Sequence, residues 1–244
     1  METSKMMGGA CPSRRTLLKG AAAAGIGLTL AQAGLIQQVA AQSDSVAEIV
    51  NIAVTAEALA VTLLGGALAS ARAGRYNRPI PPAVVAILEA ARAEEEVHYR
   101  FLRAAGARPL TTTFTVPDAG ILSDYDTLFT TVVTLEAAFI AAYMAAARAF
   151  AALGQPGLVK VAYQIGTVEA EHRVLANYAL GIRPANSVAF EPPMFTHVSE
   201  AAAALMQLGF IGGTGPAVGY PGPGPIMMRG VTNTTPGGPA AACR

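Results

Sequence analysis

Glu94-Glu95-Glu96-Val97-His98 lies inside one long helix-forming stretch, and Glu169-Ala170-Glu171-His172 lies inside another. Each contains Glu-x-x-His, as Glu95 with His98 and as Glu169 with His172. Residues three apart share a helix face, so a single turn presents an oxygen and a nitrogen donor to the same point. Two further stretches each carry one isolated carboxylate. Between Glu48 and Arg72 the only charged residue is Glu57, and between Asp126 and Arg148 the only one is Glu136. Both stretches are otherwise apolar nearly all round, the pattern of a buried helix. A lone buried carboxylate is costly unless it is protonated, paired or bound to metal. The two Glu-x-x-His helices supply what the single glutamates need. Together they give four carboxylates and two imidazoles, whose four negative charges balance two divalent cations.

The boundaries of the four stretches are legible from stop and start signals. The first is expected over 45–73, where Ser45 and Glu48 have capping-box spacing and Gly74 ends the run. The second starts at Pro81 or Pro82 and ends near 105, before Gly106. The third covers 123–153, closed by Gly154, and the fourth 156–180, before Gly181. No window alternates with strand period over any length. Short connections join helices one to two and three to four, which makes each pair antiparallel neighbours. Residues 108–122 between helices two and three are different. About 15 extended residues reach roughly 50 Å, against about 39 Å for a 26-residue helix, so this segment can travel the length of a bundle. The expected fold is an all-α four-helix bundle with one long crossover between helices 2 and 3. A short fifth helix is expected over 198–208, then a tail rich in proline and glycine, extended or disordered.

Composition narrows the class. Of 244 residues, 52% are hydrophobic and only 14% charged, so disorder over most of the chain is excluded. Alanine supplies much of the apolar content and favours closely packed helices. Net charge is +1 with no basic stripe, which leaves nucleic-acid binding without electrostatic support. The beginning of the chain reads as a secretory signal: Ser13-Arg14-Arg15-Thr16-Leu17-Leu18-Lys19, an apolar run over 20–30, then small residues. Its paired arginines resemble the twin-arginine export signal. Cleavage is expected after Ala33 or Ala41, the latter preferred. An uncleaved anchor is the other reading, but the run is short for a span and Gln32, Gln37 and Gln38 interrupt its extension. Removal would leave 13 basic and 15 acidic side chains, a net charge of −2. It would also leave Cys243 as the only cysteine, so no thiolate metal site or internal disulfide is expected.

The order glutamate, Glu-x-x-His, glutamate, Glu-x-x-His resembles the di-iron or di-manganese carboxylate proteins of the ferritin-like superfamily. The spacing of 38 residues from Glu57 to Glu95 and 33 from Glu136 to Glu169 makes the two hairpins rough copies. The leader, the bundle, Phe190-Glu191-Pro192 and Tyr220-Pro221-Gly222-Pro223 resemble a bacterial group of ferritin-like proteins related to desiccation-associated proteins. The resemblance covers about residues 45–210. It implies metal ligation by Glu57, Glu95, His98, Glu136, Glu169 and His172. Glu95 and Glu169 would bridge two ions, Glu57 and Glu136 would be terminal or bridging, and each histidine would cap one ion. Two iron ions are the first expectation and two manganese ions the alternative.

The ligand set is compatible with three functions. The first is an exported protein that oxidises ferrous iron or disposes of peroxide, with oxygen or peroxide as small-molecule partner. The second is a manganese catalase-like enzyme, and the third a stress or structural protein that binds metal without turnover. The layout is a signal over 1–41, a bundle domain over 42–210 and a tail over 211–244. The location is periplasmic or secreted, without a stable membrane span after cleavage. An alanine-rich face offers a surface for a homodimer, and a storage cage is disfavoured by the tail. Glu94, Glu96 and Glu171 are expected on solvated flanks, and His197 has no assigned role. Tyr143, seven residues after Glu136 and on the same face, is expected as a core tyrosine, with a hydrogen-bond donor to the cluster or a redox neighbour as the other readings. No aspartate stands where it could orient the histidines.

Overall fold

The computed structural model describes residues 44–222 and 231–236. The expected signal over 1–41, Cys243 and part of the tail lie outside them. Helix α1 spans Val46–Arg72, α2 Pro82–Ala104, α3 Tyr125–Ala152, α4 Pro156–Ala179 and α5 Val198–Gln207. The Ser45–Glu48 capping box forms: Glu48 N–H donates to Ser45 Oγ at 3.3 Å, and Ser45 N–H donates to Glu48 Oε2 at 2.7 Å. Helix α3 starts two residues later than expected, because Asp124 rather than Ser123 caps it, accepting from Thr127 N–H at 2.8 Å. A 3-10 turn over Ala119–Leu122 occupies the approach.

The bundle is held by one seam per helix. Buried positions recur at three- and four-residue steps: Val54, Glu57, Val61, Leu64 and Leu68 on α1, and Phe129, Val132, Glu136, Phe139, Tyr143, Ala146 and Phe150 on α3. On α2 the series is Val84, Leu88, Ala91, Glu95 and Leu102, and on α4 it is Ala162, Ile165, Glu169, His172 and Ala176. His98 fits the α2 register and is nearly covered, its side chain 12% exposed. This is the 3.5-residue repeat of near-parallel helix packing. All six candidate ligands sit on these seams, so the packing that builds the core also aims them inward. Helices α1 and α3 are long and apolar enough to cross a membrane, yet 78% and 61% of their most apolar windows are buried in the fold.

The crossover is traced by its hydrogen bonds. Its beginning lies beside the first half of α1, where Arg108 N–H donates to Asn51 Oδ1 at 2.6 Å and Leu110 N–H to Thr55 Oγ1 at 2.8 Å. Its far end meets the α1–α2 loop, where Tyr76 Oη donates to the Ile121 carbonyl at 3.0 Å and Asn77 N–H to the Ser123 carbonyl at 2.8 Å. The segment therefore runs the length of α1, making α2 and α3 parallel, the ferritin-like connectivity.

The all-α bundle carries one small two-stranded addition. Within the crossover β1, Thr113–Thr115, pairs antiparallel with β2, Ala217–Gly219, from the tail. The beginning of the tail is thus ordered pairing, not loose chain. Its glycines have a steric reason. A Cβ at Gly215 would run into the Val116 carbonyl, and one at Gly213 into that of Gly209. Helix α5 packs on α1 and α3, and Asp44 caps its N-terminus from a distance, accepting from Val198 N–H at 2.6 Å. The loop after α4 is pinned by a two-pronged pair between Arg173 and Glu191, the Nη1–Oε2 contact measuring 2.6 Å.

Candidate metal centre

The structure brings the six sequence-chosen side chains to one place at mid-bundle. All four glutamates and His172 are at most 4% exposed. Two sets of donor atoms form, each with its members within 4.8 Å of one another: Glu57, Glu95, His98 and Glu169, and Glu95, Glu136, Glu169 and His172. Glu95 and Glu169 belong to both sets. His98 Nδ1 lies 3.3 Å from Glu57 Oε2, 3.6 Å from Glu169 Oε1 and 3.7 Å from Glu95 Oε2. His172 Nδ1 lies 3.0 Å from Glu95 Oε1, 3.3 Å from Glu169 Oε2 and 3.7 Å from Glu136 Oε1.

These atoms are close without being hydrogen-bonded to one another. Ten buried side-chain polar atoms among the described residues have no hydrogen-bond partner. Eight of them come from these six residues: both oxygens of Glu95 and of Glu169, one oxygen each of Glu57 and Glu136, and Nδ1 of each histidine. Buried polar groups are nearly always satisfied, and each orphan costs roughly 1–3 kcal/mol. Donors that converge on shared points while missing hydrogen-bond geometry to each other fit cations seated between them. The donor set, oxygen and imidazole without thiolate, suits iron or manganese; zinc would fit but has no redox chemistry.

Electrostatics point the same way. Burial, reinforced by neighbouring carboxylates, pushes the Glu57 and Glu136 carboxyls well above their usual range and raises Glu169. Burial also opposes ionisation of Glu95, but the imidazoles of His172 and His98 outweigh it and hold that group well below. Burial likewise opposes charge on the histidines, yet the surrounding carboxylates carry both well above the usual imidazole range. Without cations, then, the cluster retains protons to limit its negative charge.

A family model of the ferritin-like domain matches residues 45–181. The chain belongs to the ferritin-like domain family. No curated protein and no solved structure matches it. The matched span of the ferritin-like domain holds α1 to α4 and all six candidate ligands; α5, β2 and the rest of the tail lie beyond it.

The ferritin-like core also uses residues that the sequence did not single out. Glu94, expected to be solvated, reaches His172, with Oε2 2.9 Å from Nε2. With Nε2 protonated toward Glu94, Nδ1 keeps its lone pair for the cluster. Glu94 therefore takes the orienting position for which the sequence offered no aspartate. Glu96, also expected to be solvated, is 1% exposed; it takes Nε–H of Arg100 at 2.7 Å and Oη–H of Tyr220 at 2.7 Å. The Arg100 contact has a sequence signal, the four-residue Glu-to-Arg spacing; the Tyr220 contact, 124 residues away, has none. Glu171 is exposed as expected. Tyr143 is a core residue whose hydroxyl also donates to Glu57 Oε1, fixing that carboxylate. Gly166 makes room for it: a Cβ there would stand 3.1 Å from Tyr143 Cβ. His98 borders a cleft of ≈ 590 Å³ between α2 and α4, rimmed by Glu94, Gln164 and Glu171, with 231–236 against it.

Proposed function

We propose that this ferritin-like protein holds two redox-active divalent ions, iron in the first instance, and uses them to oxidise ferrous iron, with oxygen or peroxide taking the electrons, and so to dispose of peroxide. The observation that carries this is the set of eight orphaned donor atoms arranged in two groups that share Glu95 and Glu169. In this reading Glu95 and Glu169 would be shared by both ions, Glu57 and His98 would complete one position, and Glu136 and His172 the other. A pair of such ions supplies two-electron exchange with oxygen or peroxide. The chain's own residues do the rest. Glu94 orients His172, the Tyr143 hydroxyl orients Glu57, and the apolar seams around the cluster keep out bulk water. Four carboxylates against two divalent cations leave a neutral buried site.

Export by the leader in 1–41 to the periplasm belongs to the same proposal. It predicts that the protein from that compartment begins near residue 42 on N-terminal sequencing. The central experiment is metal analysis of the purified mature protein, followed by anaerobic ferrous loading and measurement of oxygen or peroxide consumption. Two iron ions per chain with ferrous-dependent consumption supports the reading. Two manganese ions with oxygen release from peroxide would move it to the catalase-like alternative. Zinc alone would leave a binding protein without turnover, and failure to take up any metal would overturn the metal centre itself.

A further inference from the structure

One helical turn from the cluster lies a second feature, made of hydrocarbon. A cavity of ≈ 70 Å³ is lined by residues from all four bundle helices. Each helix contributes a residue three or four positions from a cluster residue: Ala53 before Glu57, Phe101 after His98, Phe139 after Glu136 and Ile165 before Glu169. With α1 and α4 running opposite to α2 and α3, these offsets point to the same end of the bundle. One turn is about 5.4 Å, so cavity and cluster are stacked along the bundle axis. Tyr143 spans the two, lining the cavity while its hydroxyl donates to Glu57.

Protein interiors pack densely and seldom leave voids larger than a water. Here the lining carries alanine where a larger side chain would close the gap, at 142, 146 and 162 among others. Of the lining side chains only Tyr143 has a polar atom, and that atom is engaged with Glu57. A buried water needs two to four polar partners, and this lining offers it nothing comparable. A nonpolar guest gives up no hydrogen bonds on entering, and it leaves the water that excludes it.

We propose that this cavity is a binding site for a small nonpolar gas, dioxygen in the working protein, held one turn from the metal pair. The affinity for a nonpolar guest stands on the cavity alone. The identity of the physiological guest rests on the redox reading above. Peroxide is polar and finds no partner in this lining; the cleft beside His98, rimmed by Glu94, Gln164 and Glu171, suits it better.

Xenon is the probe. Full-length metal-free protein is titrated with xenon and followed by methyl NMR, together with Ala146→Leu and the milder Ala162→Val. The expected result is saturable shifts of methyls around Ala142, Ala146 and Ile165, weakened in Ala162→Val and lost in Ala146→Leu. Absence of saturable shifts in the unsubstituted protein overturns the site, as does undiminished xenon affinity in folded variants. In iron-loaded samples the ratio of dioxygen rate to peroxide rate should fall several-fold in the variants. An unchanged ratio with xenon binding lost overturns dioxygen as the guest. Metal stoichiometry in the same samples reports on the cluster separately, so failure of the metal reading leaves the xenon result standing.

Discussion

Single residues decide whether the cluster is a set of ligands or only a set of buried acids. Glu136 separates the two. If it is a ligand, Glu136→Gln removes a charge that one ion needs, and bound metal should fall from two ions per chain toward one. The metal-free fold should not suffer, because burial and the nearby Glu169 and Glu95 already push this carboxyl toward its neutral form. Metal analysis alongside thermal unfolding checks both halves; full metal content in Glu136→Gln would remove it from the ligand set. Glu94 gives a graded test. Its side chain is 34% exposed and its contact is with His172 Nε2, so Glu94→Ala should barely move stability. It should weaken metal affinity by about 10- to 100-fold, the usual cost of losing the partner that orients a ligating histidine. Competition with a chelator of known affinity measures it, and an affinity equal to that of the unsubstituted protein would mean that Glu94 orients nothing.

At the scale of elements, the tail is more than an appendage. Its strand β2 pairs with β1 in the crossover, and Tyr220 next to β2 donates to buried Glu96 on α2 and packs tilted on Tyr99, the ring centroids 4.5 Å apart. The tail thus ties the crossover to the helix that carries Glu95 and His98. Tyr220→Phe keeps the ring and leaves Glu96 Oε2 without its donor, which should cost about 1–3 kcal/mol. A lower urea midpoint with faster proteolytic cleavage beyond α5 is the expected outcome; an unchanged midpoint would show that the docking rests on the ring alone. These same elements mark where the sequence was readable. Helix ends were legible because Ser45, Pro82, Gly74 and Gly154 act locally. Glu57 and Glu136 were legible as isolated charges on apolar helices, and the other four by the Glu-x-x-His spacing that sets an oxygen and a nitrogen donor on one helix face. The β1–β2 ribbon was not, since three residues cannot establish a period and the partner strand lies about a hundred residues away. Glu94 and Glu96 were misread for a related reason: His172 and Tyr220 sit on remote segments, and a run of three glutamates looks the same whichever members are buried.

For the molecule as a whole, the cluster couples stability to both pH and metal. Glu57, Glu136 and Glu169 have folded pKa values raised above the ordinary 4.5. As pH climbs past 4.5 the unfolded chain ionises these groups freely and the folded chain does not, so stability falls through that range. His98 and His172 are raised above 6.5. Their contribution is complete below 6.5 and is lost as pH rises through the folded values, which is the same direction. Glu95 alone is lowered, and its contribution is lost only as pH falls below 4.5. The chelated protein should therefore unfold at progressively lower temperature from about pH 5 to pH 8. Cations replace the protons. Once they are bound the folded cluster holds few protons while the unfolded chain still protonates its histidines below about 6.5, so the loaded protein should gain stability up to about pH 7 where the chelated form loses it. Each ion present at 100 times its dissociation constant adds about 2.7 kcal/mol. Because affinity rises as protons leave the ligands, the gap between loaded and chelated protein should widen with pH. Calorimetry on both forms across that range tests the coupling, and a gap that stays constant or closes would mean that these six residues do not exchange protons for metal.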